Sequence, residues 1–414
     1  MGDLPSQDPT RRSSALGPAS PTFQRCSKLH QRRAFKFCFD DERLRALKRE
    51  VTLVRLLRSA LGERDDIVHI HELKLDAPPF YLESDLAPHG NLLQWAESQG
   101  GLEKIPLAQR IALVAHTATA LAAAHSIGVL HKDIKPTNIL IFDGPGGEPR
   151  PRLVDFGIGT LADPAVLGEH GVTAAGFTRT KIEHSTGTPT YSPPEYLAGK
   201  PYTIQGDIYG LGVLLYQLAT NKPNEPLAPG WERDIADPLL REDIANCVDG
   251  DPARRFSSAS QFADQLHTLS QRQSDFAEEQ DLRIEKNENI RSGQRLICCA
   301  ILIWVAGLVI TFVGISQMEK LEPIFCIIPF AFGWMVSLLL SVVGIVLLSF
   351  GLGYNLPIRV FLIIIVPLLL ILVPPAGLIA LSVLSGKATA ILRAAGYKVG
   401  FLGASRLPTT CYER

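Results

Sequence analysis

The stretch His131-Lys132-Asp133-Ile134-Lys135-Pro136-Thr137-Asn138, with Asp155-Phe156-Gly157 following it, decides how this chain is read. It sets a carboxylate at Asp133, an amide five residues later at Asn138, and a second carboxylate at Asp155. The first carboxylate suits orienting an attacking hydroxyl and accepting its proton. The amide and the second carboxylate offer hard oxygen donors, suited to holding Mg²⁺ on the phosphates of a nucleotide. Between the two motifs, Ile139 to Phe142 and Leu153-Val154 are short strand-like runs joined by the Gly/Pro-rich Gly144 to Pro149, a hairpin pattern.

Upstream, Ala34-Phe35-Lys36-Phe37-Cys38-Phe39 is an aromatic-rich run of strand type. Asp41 to Leu61 then carries Leu44, Leu47, Val51, Val54, Leu57 and Leu61 at three- and four-residue steps, which predicts an amphipathic helix. Ile67 to Leu75 and Phe80 to Leu86 read as antiparallel strands around Asp76-Ala77-Pro78-Pro79, and Pro106 to Ile127 as a long Ala/Leu helix. From Tyr202 to about Ser270 the pattern is helical. Strands with one helix first, and helices afterwards, predict an α+β arrangement in two lobes.

On these residues the chain resembles the protein kinase family, whose H-R-D-x-x-x-x-N and D-F-G elements match at the right spacing, with Lys132 where arginine is usual. The resemblance covers about residues 31–270 and is closest to bacterial membrane-anchored Ser/Thr protein kinases. It implies a two-lobed protein-kinase-like fold with ATP and Mg²⁺ as cofactors. Asp133 would be the catalytic base and Lys135 the neutraliser of the transferring γ-phosphoryl group, with Asn138 and Asp155 as Mg²⁺ ligands. Lys36 resembles the lysine on the α- and β-phosphates, and Glu50 its ion-pair partner. Glu195 in Pro193-Pro194-Glu195 resembles the glutamate that pairs with a buried arginine, here Arg255, and Asp207 the aspartate that braces the catalytic loop. Lys135 and Thr188 resemble the residues of enzymes acting on Ser and Thr, so the implied substrates are protein hydroxyls. Thr178, Thr180, Ser185 and Thr186 precede Thr188 in a segment suited to phosphorylation.

The resemblance departs in one place. Residues 1–33 hold only Gly2 and Gly17, so the family's glycine-rich phosphate lid is not present and the N-terminal lobe is expected to be incomplete. The alternative is therefore a pseudokinase, a membrane-bound signalling or interaction module with little turnover.

The 414 residues carry 41 Lys and Arg against 42 Asp and Glu, a balance that gives no reason to expect nucleic acid as partner. Seven cysteines lie without the spacing of a disulfide framework or zinc site. His69 and His71 alternate onto one strand face, a weak metal pattern, and His184 reads as a solvated loop residue. Residues 1–30, with Pro5, Pro9, Pro18 and Pro21 and no apolar periodicity, are expected to be disordered, and no cleavable signal peptide is expected. Residues 271–295 form a charged linker that can be partly helical.

Between Leu296 and Gly386 only Glu319, Lys320, Glu322 and Arg359 are charged, which predicts a transmembrane region of about three helices, 296–315, 324–352 and 360–384, and a tail at 387–414. Pro329, Pro374 and Pro375 are the candidate kinks. Arg291 and Arg295 before the first span, and Lys387, Arg393, Lys398 and Arg406 after the last, both favour the cytoplasm. Three crossings cannot satisfy both: one stretch stops short, one crosses twice, or the rule fails at the C-terminus. The expectation is a multi-pass protein of a bacterial inner membrane with its kinase-like domain cytoplasmic. Gly333, Ser337 and Ser341 form a small-residue row of the kind that lines helix contacts, and a homodimer is among the expected partners.

Overall fold

Pairing across the chain builds the first sheet. The computed structural model describes residues 22–26, 32–39, 41–156, 160–161, 189–316, 324–400 and 402–405, which divide into two units, Met1–Arg272 and Gln273–Arg414. In the first, β1 (Thr22–Cys26), β2 (Arg32–Cys38), β3 (Ile70–Lys74) and β4 (Phe80–Asp85) form an antiparallel sheet of order β1-β2-β4-β3. Strand β1 corrects the expectation that residues 1–30 lack structure. Its reason is long-range register, Thr22 opposite Lys36 and Cys26 opposite Arg32, which local composition does not report. Helix α1 (Asp41–Leu61) has the predicted bounds. Its Leu47 and Val51 pack with Cys38 and Leu82, residues on the same sheet face as Lys36, in a small core of their own.

The helical half follows. It contains α2 (Leu92–Ser98), α3 (Leu107–Ser126), β5 (Val129–Leu130), β6 (Ile139–Asp143), β7 (Pro149–Leu153), β8 (Thr160–Leu161), α4 (Pro194–Leu197), α5 (Ile204–Thr220), α6 (Pro238–Val248) and α7 (Ala259–His267). Asn91 closes a capping box on α2 with Gln94, satisfying backbone N–H groups that the first turn leaves open. Helix α5 is apolar on nearly every side because it runs through the core: Ile208, Leu211, Leu214 and Leu215 are fully buried, in one cluster with Leu113, Val114, Ala118 and Leu121 of α3. Gly212 lets α6 approach, since a Cβ there would lie 2.3 Å from that of Cys247.

The second unit contains most of α8 (Leu269–Ser316), then α9 (Ile324–Gly351), α10 (Leu356–Leu372), α11 (Pro374–Ala394) and a small hairpin, β9 (Lys398–Gly400) with β10 (Gly403–Ser405). Three expectations are corrected here. The linker at 271–295 is helical throughout and continuous with the first apolar stretch. The stretch at 360–384 is two helices, interrupted at Val373 ahead of Pro374-Pro375, so four helices replace three. The last helix also runs to Ala394, ten residues beyond the expected end of the span. A proline cannot donate the helical bond and its ring crowds the preceding turn, which separates α10 from α11; Pro329 and Pro367, by contrast, sit inside helices.

Among the described residues of this unit, three helices are long and apolar enough to cross a membrane, over Leu269–Val313, Ala331–Gly351 and Pro374–Ala394, and Leu356–Leu372 is a shorter apolar helix. Helix α3 meets the same measure but belongs to the core of the first unit. Contacts between α8 and α9 pair Lys286 with Gly351, Gly293 with Gly344, and Ala300 with Ser337, so the two helices run antiparallel. Ser337 Oγ donates to the Ala300 carbonyl at 2.8 Å, and Gly333 faces Ile303. The small-residue row thus serves a contact within the chain. At Gln294, Nε2 donates to Thr389 Oγ1 while Oε1 accepts from the Ala404 amide, tying α8 to α11 and to β10.

Candidate active site

Lys36 leaves the middle of β2 on the face that packs against α1. Its Nζ lies 2.8 Å from Glu50 Oε2, on α1, and 3.1 Å from Asp155 Oδ1, just after β7. Burial alone would lower the lysine pKa, but the Glu50 and Asp155 carboxylates more than reverse it and hold the ammonium protonated far into the alkaline range. Burial pushes the Glu50 carboxyl up, and Lys36 opposes that rise.

The loop that carries Asp133 is held from below by one carboxylate. Asp207, fully buried in the first turn of α5, accepts from the His131 amide at 2.9 Å, the Lys132 amide at 2.8 Å and the Tyr202 hydroxyl at 3.0 Å, with His125 Nε2 at 2.8 Å. Burial works against its ionisation, yet these partners carry its pKa below the ordinary carboxylate value. Lys132 is in the left-handed region at φ +67°, a conformation that costs a non-glycine residue about 1–2 kcal/mol; two bonds to Asp207 across this turn offset the cost.

His131 is enclosed. Its Nε2 lies 3.2 Å from the Val154 carbonyl, its Nδ1 is 3.3 Å from the Asp133 amide, and its ring lies 4.6 Å from that of the buried Phe156. Burial lowers its pKa against the pull of Asp207, Asp133 and Asp155. A neutral ring with the proton on Nε2 satisfies both contacts.

Asp133 Oδ2 is held by Lys135 Nζ at 2.6 Å and Asn138 Nδ2 at 2.9 Å; Asn138 Nδ2 also donates to the Asp133 carbonyl at 2.9 Å. Asp133 Oδ1 is buried and takes no hydrogen bond among the described residues. One oxygen is therefore anchored while the other stays available as an acceptor, the arrangement a carboxylate needs to receive a hydroxyl proton.

With its Nδ2 spent on Asp133, Asn138 has its carbonyl oxygen as the atom that could face a metal. That oxygen and the Asp155 carboxylate are a hard-donor pair fit for Mg²⁺. No group of three or more His, Cys, Asp or Glu suited to a metal occurs among the described residues.

Glu195 and Arg255 pair as expected, with two guanidinium nitrogens each 2.8 Å from a carboxylate oxygen. Arg255 also donates to the Gln205 and Asp249 carbonyls. Sequence reading missed His125 and Tyr202 as partners of Asp207, and the link from Tyr191 to Gln217 at 2.7 Å. The one available signal was the His125 imidazole at the end of a helix that is otherwise Ala- and Leu-rich. His69 and His71 both approach Asp85, which also takes Arg33 and Arg152. Two guanidinium groups at that carboxylate disfavour a metal. Gly157, Thr178, Thr180, His184, Ser185, Thr186 and Thr188 lie outside the described residues.

A family model described as a protein kinase domain matches residues 27–273. Among curated proteins, serine/threonine-protein kinase PkaA of Streptomyces coelicolor is 37% identical over 180 residues, 44% of this chain and 29% of that protein. Serine/threonine-protein kinase PknJ of Mycobacterium tuberculosis is 30% identical over 221 residues, 49% of this chain and 34% of that protein. Serine/threonine-protein kinase Pkn1 of Myxococcus xanthus is 32% identical over 160 residues, 38% of this chain and 20% of that protein. The aligned part thus spans about a third or less of the length of these relatives.

Proposed function

The chain belongs to the protein kinase domain family, and from that premise we propose that it is a membrane-anchored Ser/Thr protein kinase, transferring the γ-phosphoryl group of ATP to hydroxyls of protein substrates. The observation that carries this is the convergence of Lys36, Glu50 and Asp155 from three separate elements, beside an Asp133 whose buried Oδ1 has no hydrogen-bond donor among the described residues. Bound Mg²⁺ would neutralise phosphate charge. Asn138 and Asp155 would hold it, and Lys36, fixed by Glu50, would hold the α- and β-phosphates. Asp133 orients the substrate hydroxyl and takes its proton as the oxygen bonds to the γ-phosphorus and the bond to the ADP oxygen breaks. Lys135, already at Asp133, neutralises charge on the transferring group.

The four helices of the second unit support a multi-pass anchor. An even number of crossings returns the chain to the side it entered from, so Arg291 and Arg295 share a side with Lys387, Arg393 and Lys398. On the positive-inside rule that side is the cytoplasm, with the kinase domain and the C-terminal end both there, in a bacterial inner membrane.

The test is phosphate transfer from labelled Mg²⁺-ATP to Ser- and Thr-containing proteins by the purified full chain. Asp133→Asn should lower it by at least about a hundredfold. Equal incorporation by both forms would overturn the reading. Nucleotide binding without transfer by the wild type would favour the pseudokinase instead.

A further inference from the structure

Past Glu322 the charge of the second unit is one-sided. Between Glu322 and Glu413 the sequence contains Arg359, Lys387, Arg393, Lys398 and Arg406 and no acidic residue. The antiparallel packing brings the described members of this set to one end. There α8 contributes Gln294 and Arg295, beside Ser385 and Thr389 of α11, so Lys387 lies at their level. The hairpin folds back onto the same place: Gly403 packs on the Arg295 stem and Ala404 donates to Gln294. Arg359, in the first turn of α10, donates to the Tyr354 carbonyl and stacks over Phe350 near the end of α9. Gly353, just past α9, meets Lys286 of α8.

Arg295, Lys387, Arg393 and Lys398 are all exposed, and none forms an ion pair with a described carboxylate. The opposite end, where α10 turns into α11 with Leu370 against Gly377, has no charged residue among those described. From Gln294 to Val313 a helix rises about 29 Å, close to the thickness of a hydrocarbon core of about 30 Å. Arg295 and Lys387 therefore fall at the depth of the phosphate headgroups, with Arg359 one to two helical turns further to the aqueous side.

We propose that this collar of Arg295, Arg359, Lys387, Arg393 and Lys398 is a binding surface for the headgroups of anionic phospholipids. The proposal rests on the membrane reading above. Charge complementarity carries it: basic residues are packed at this end with no acidic residue on α9, α10, α11 or the hairpin, and of the nearest acidic residues of α8, Glu288 pairs with Arg291 and Glu285 lies ten residues before Arg295. Each such residue near an anionic surface strengthens binding about fivefold, so removing three costs on the order of a hundredfold.

The experiment uses the full chain with vesicles of phosphatidylcholine alone or mixed with phosphatidylglycerol, followed by native mass spectrometry of the lipids retained. The expected result is flotation with both vesicles and a strong preference for retained phosphatidylglycerol. Salt should weaken that preference by screening. The combined Lys387→Gln, Arg393→Gln, Lys398→Gln variant should lose it while still floating with phosphatidylcholine. Flotation with both vesicles and equal retention of both lipids by the wild type would overturn the collar proposal alone. Failure to float with either vesicle would overturn the membrane reading and the collar with it. Inorganic phosphate displacing the lipid at equal concentration would overturn the headgroup as the ligand.

Discussion

The Lys132 amide donates to Asp207 Oδ1 over 2.8 Å while Lys132 itself holds φ at +67°. The turn that presents Asp133 is thus fixed from beneath by a residue 75 positions later in the chain. The Lys132 ammonium lies 5.7 Å from the centroid of the Tyr202 ring, whose hydroxyl donates to the same aspartate. Removing that carboxylate leaves the buried His131 amide, the part-buried Lys132 amide and the Tyr202 hydroxyl without their acceptor, and His125 without its partner. Asp207→Ala should cost about 3–5 kcal/mol of stability. Denaturant unfolding of the full chain measures it, and a loss below about 1 kcal/mol would show that the loop holds its shape otherwise.

Arg255→Ala should be comparably damaging, because it removes a fully buried guanidinium and leaves the mostly buried Glu195 carboxylate unpaired, with a cost of up to about 3–5 kcal/mol. Arg255→Lys should recover only part of this, since an ammonium cannot supply two parallel bonds to one carboxylate. Equal melting temperatures for the wild type and the alanine variant would show that the pair contributes nothing.

Lys36→Met should do more than abolish phosphate transfer. Glu50 is a carboxyl whose pKa burial raises, with Lys36 as its main opposing charge. In the variant it rises further. A raised carboxyl favours the folded state at low pH and loses that contribution as pH climbs above the unfolded value of 4.5. The stability penalty of Lys36→Met should therefore be larger at pH 8 than at pH 5, and a penalty that shrinks over this range would contradict the pairing.

His131 sets a second pH dependence of opposite sign. Its pKa is lowered from 6.5 by burial, so the unfolded chain takes up this proton before the folded one does. Its contribution is complete above pH 6.5 and lost as pH falls below it, with a slope of at most about 1.4 kcal/mol per pH unit. His131→Phe should flatten the acid side of the stability profile by up to that slope, which urea titrations from pH 7 to pH 5 would detect.

In the second unit, a Cβ on Gly293 would lie 2.7 Å from the Gly344 carbonyl oxygen and from the Leu348 amide nitrogen. Gly293→Val should force α8 and α9 apart at a cost of at least about 1–3 kcal/mol. Gly386→Val, where a Cβ meets nothing within 4 Å, is the control. Similar unfolding in detergent for the two would show that the α8–α9 contact is not close.

The candidate site was legible in the sequence as a cluster because its spacing is local. Asp133, Lys135 and Asn138 fall within six residues, and their mutual bonds are set by one turn of backbone. The bounds of α1 were legible too, since a period of three to four apolar residues is itself the helix. What needed the tertiary structure was every partner drawn from elsewhere. Strand β1 exists through its pairing with β2, and the fourfold service of Asp207 depends on α3 and α5 lying side by side in the core. The number of apolar helices was decided at Val373, where two prolines end one helix and start the next inside a stretch, 360–384, that carries no charged residue. Hydropathy records which solvent a segment prefers and is blind to backbone hydrogen bonds, so composition alone gave three helices where the backbone makes four.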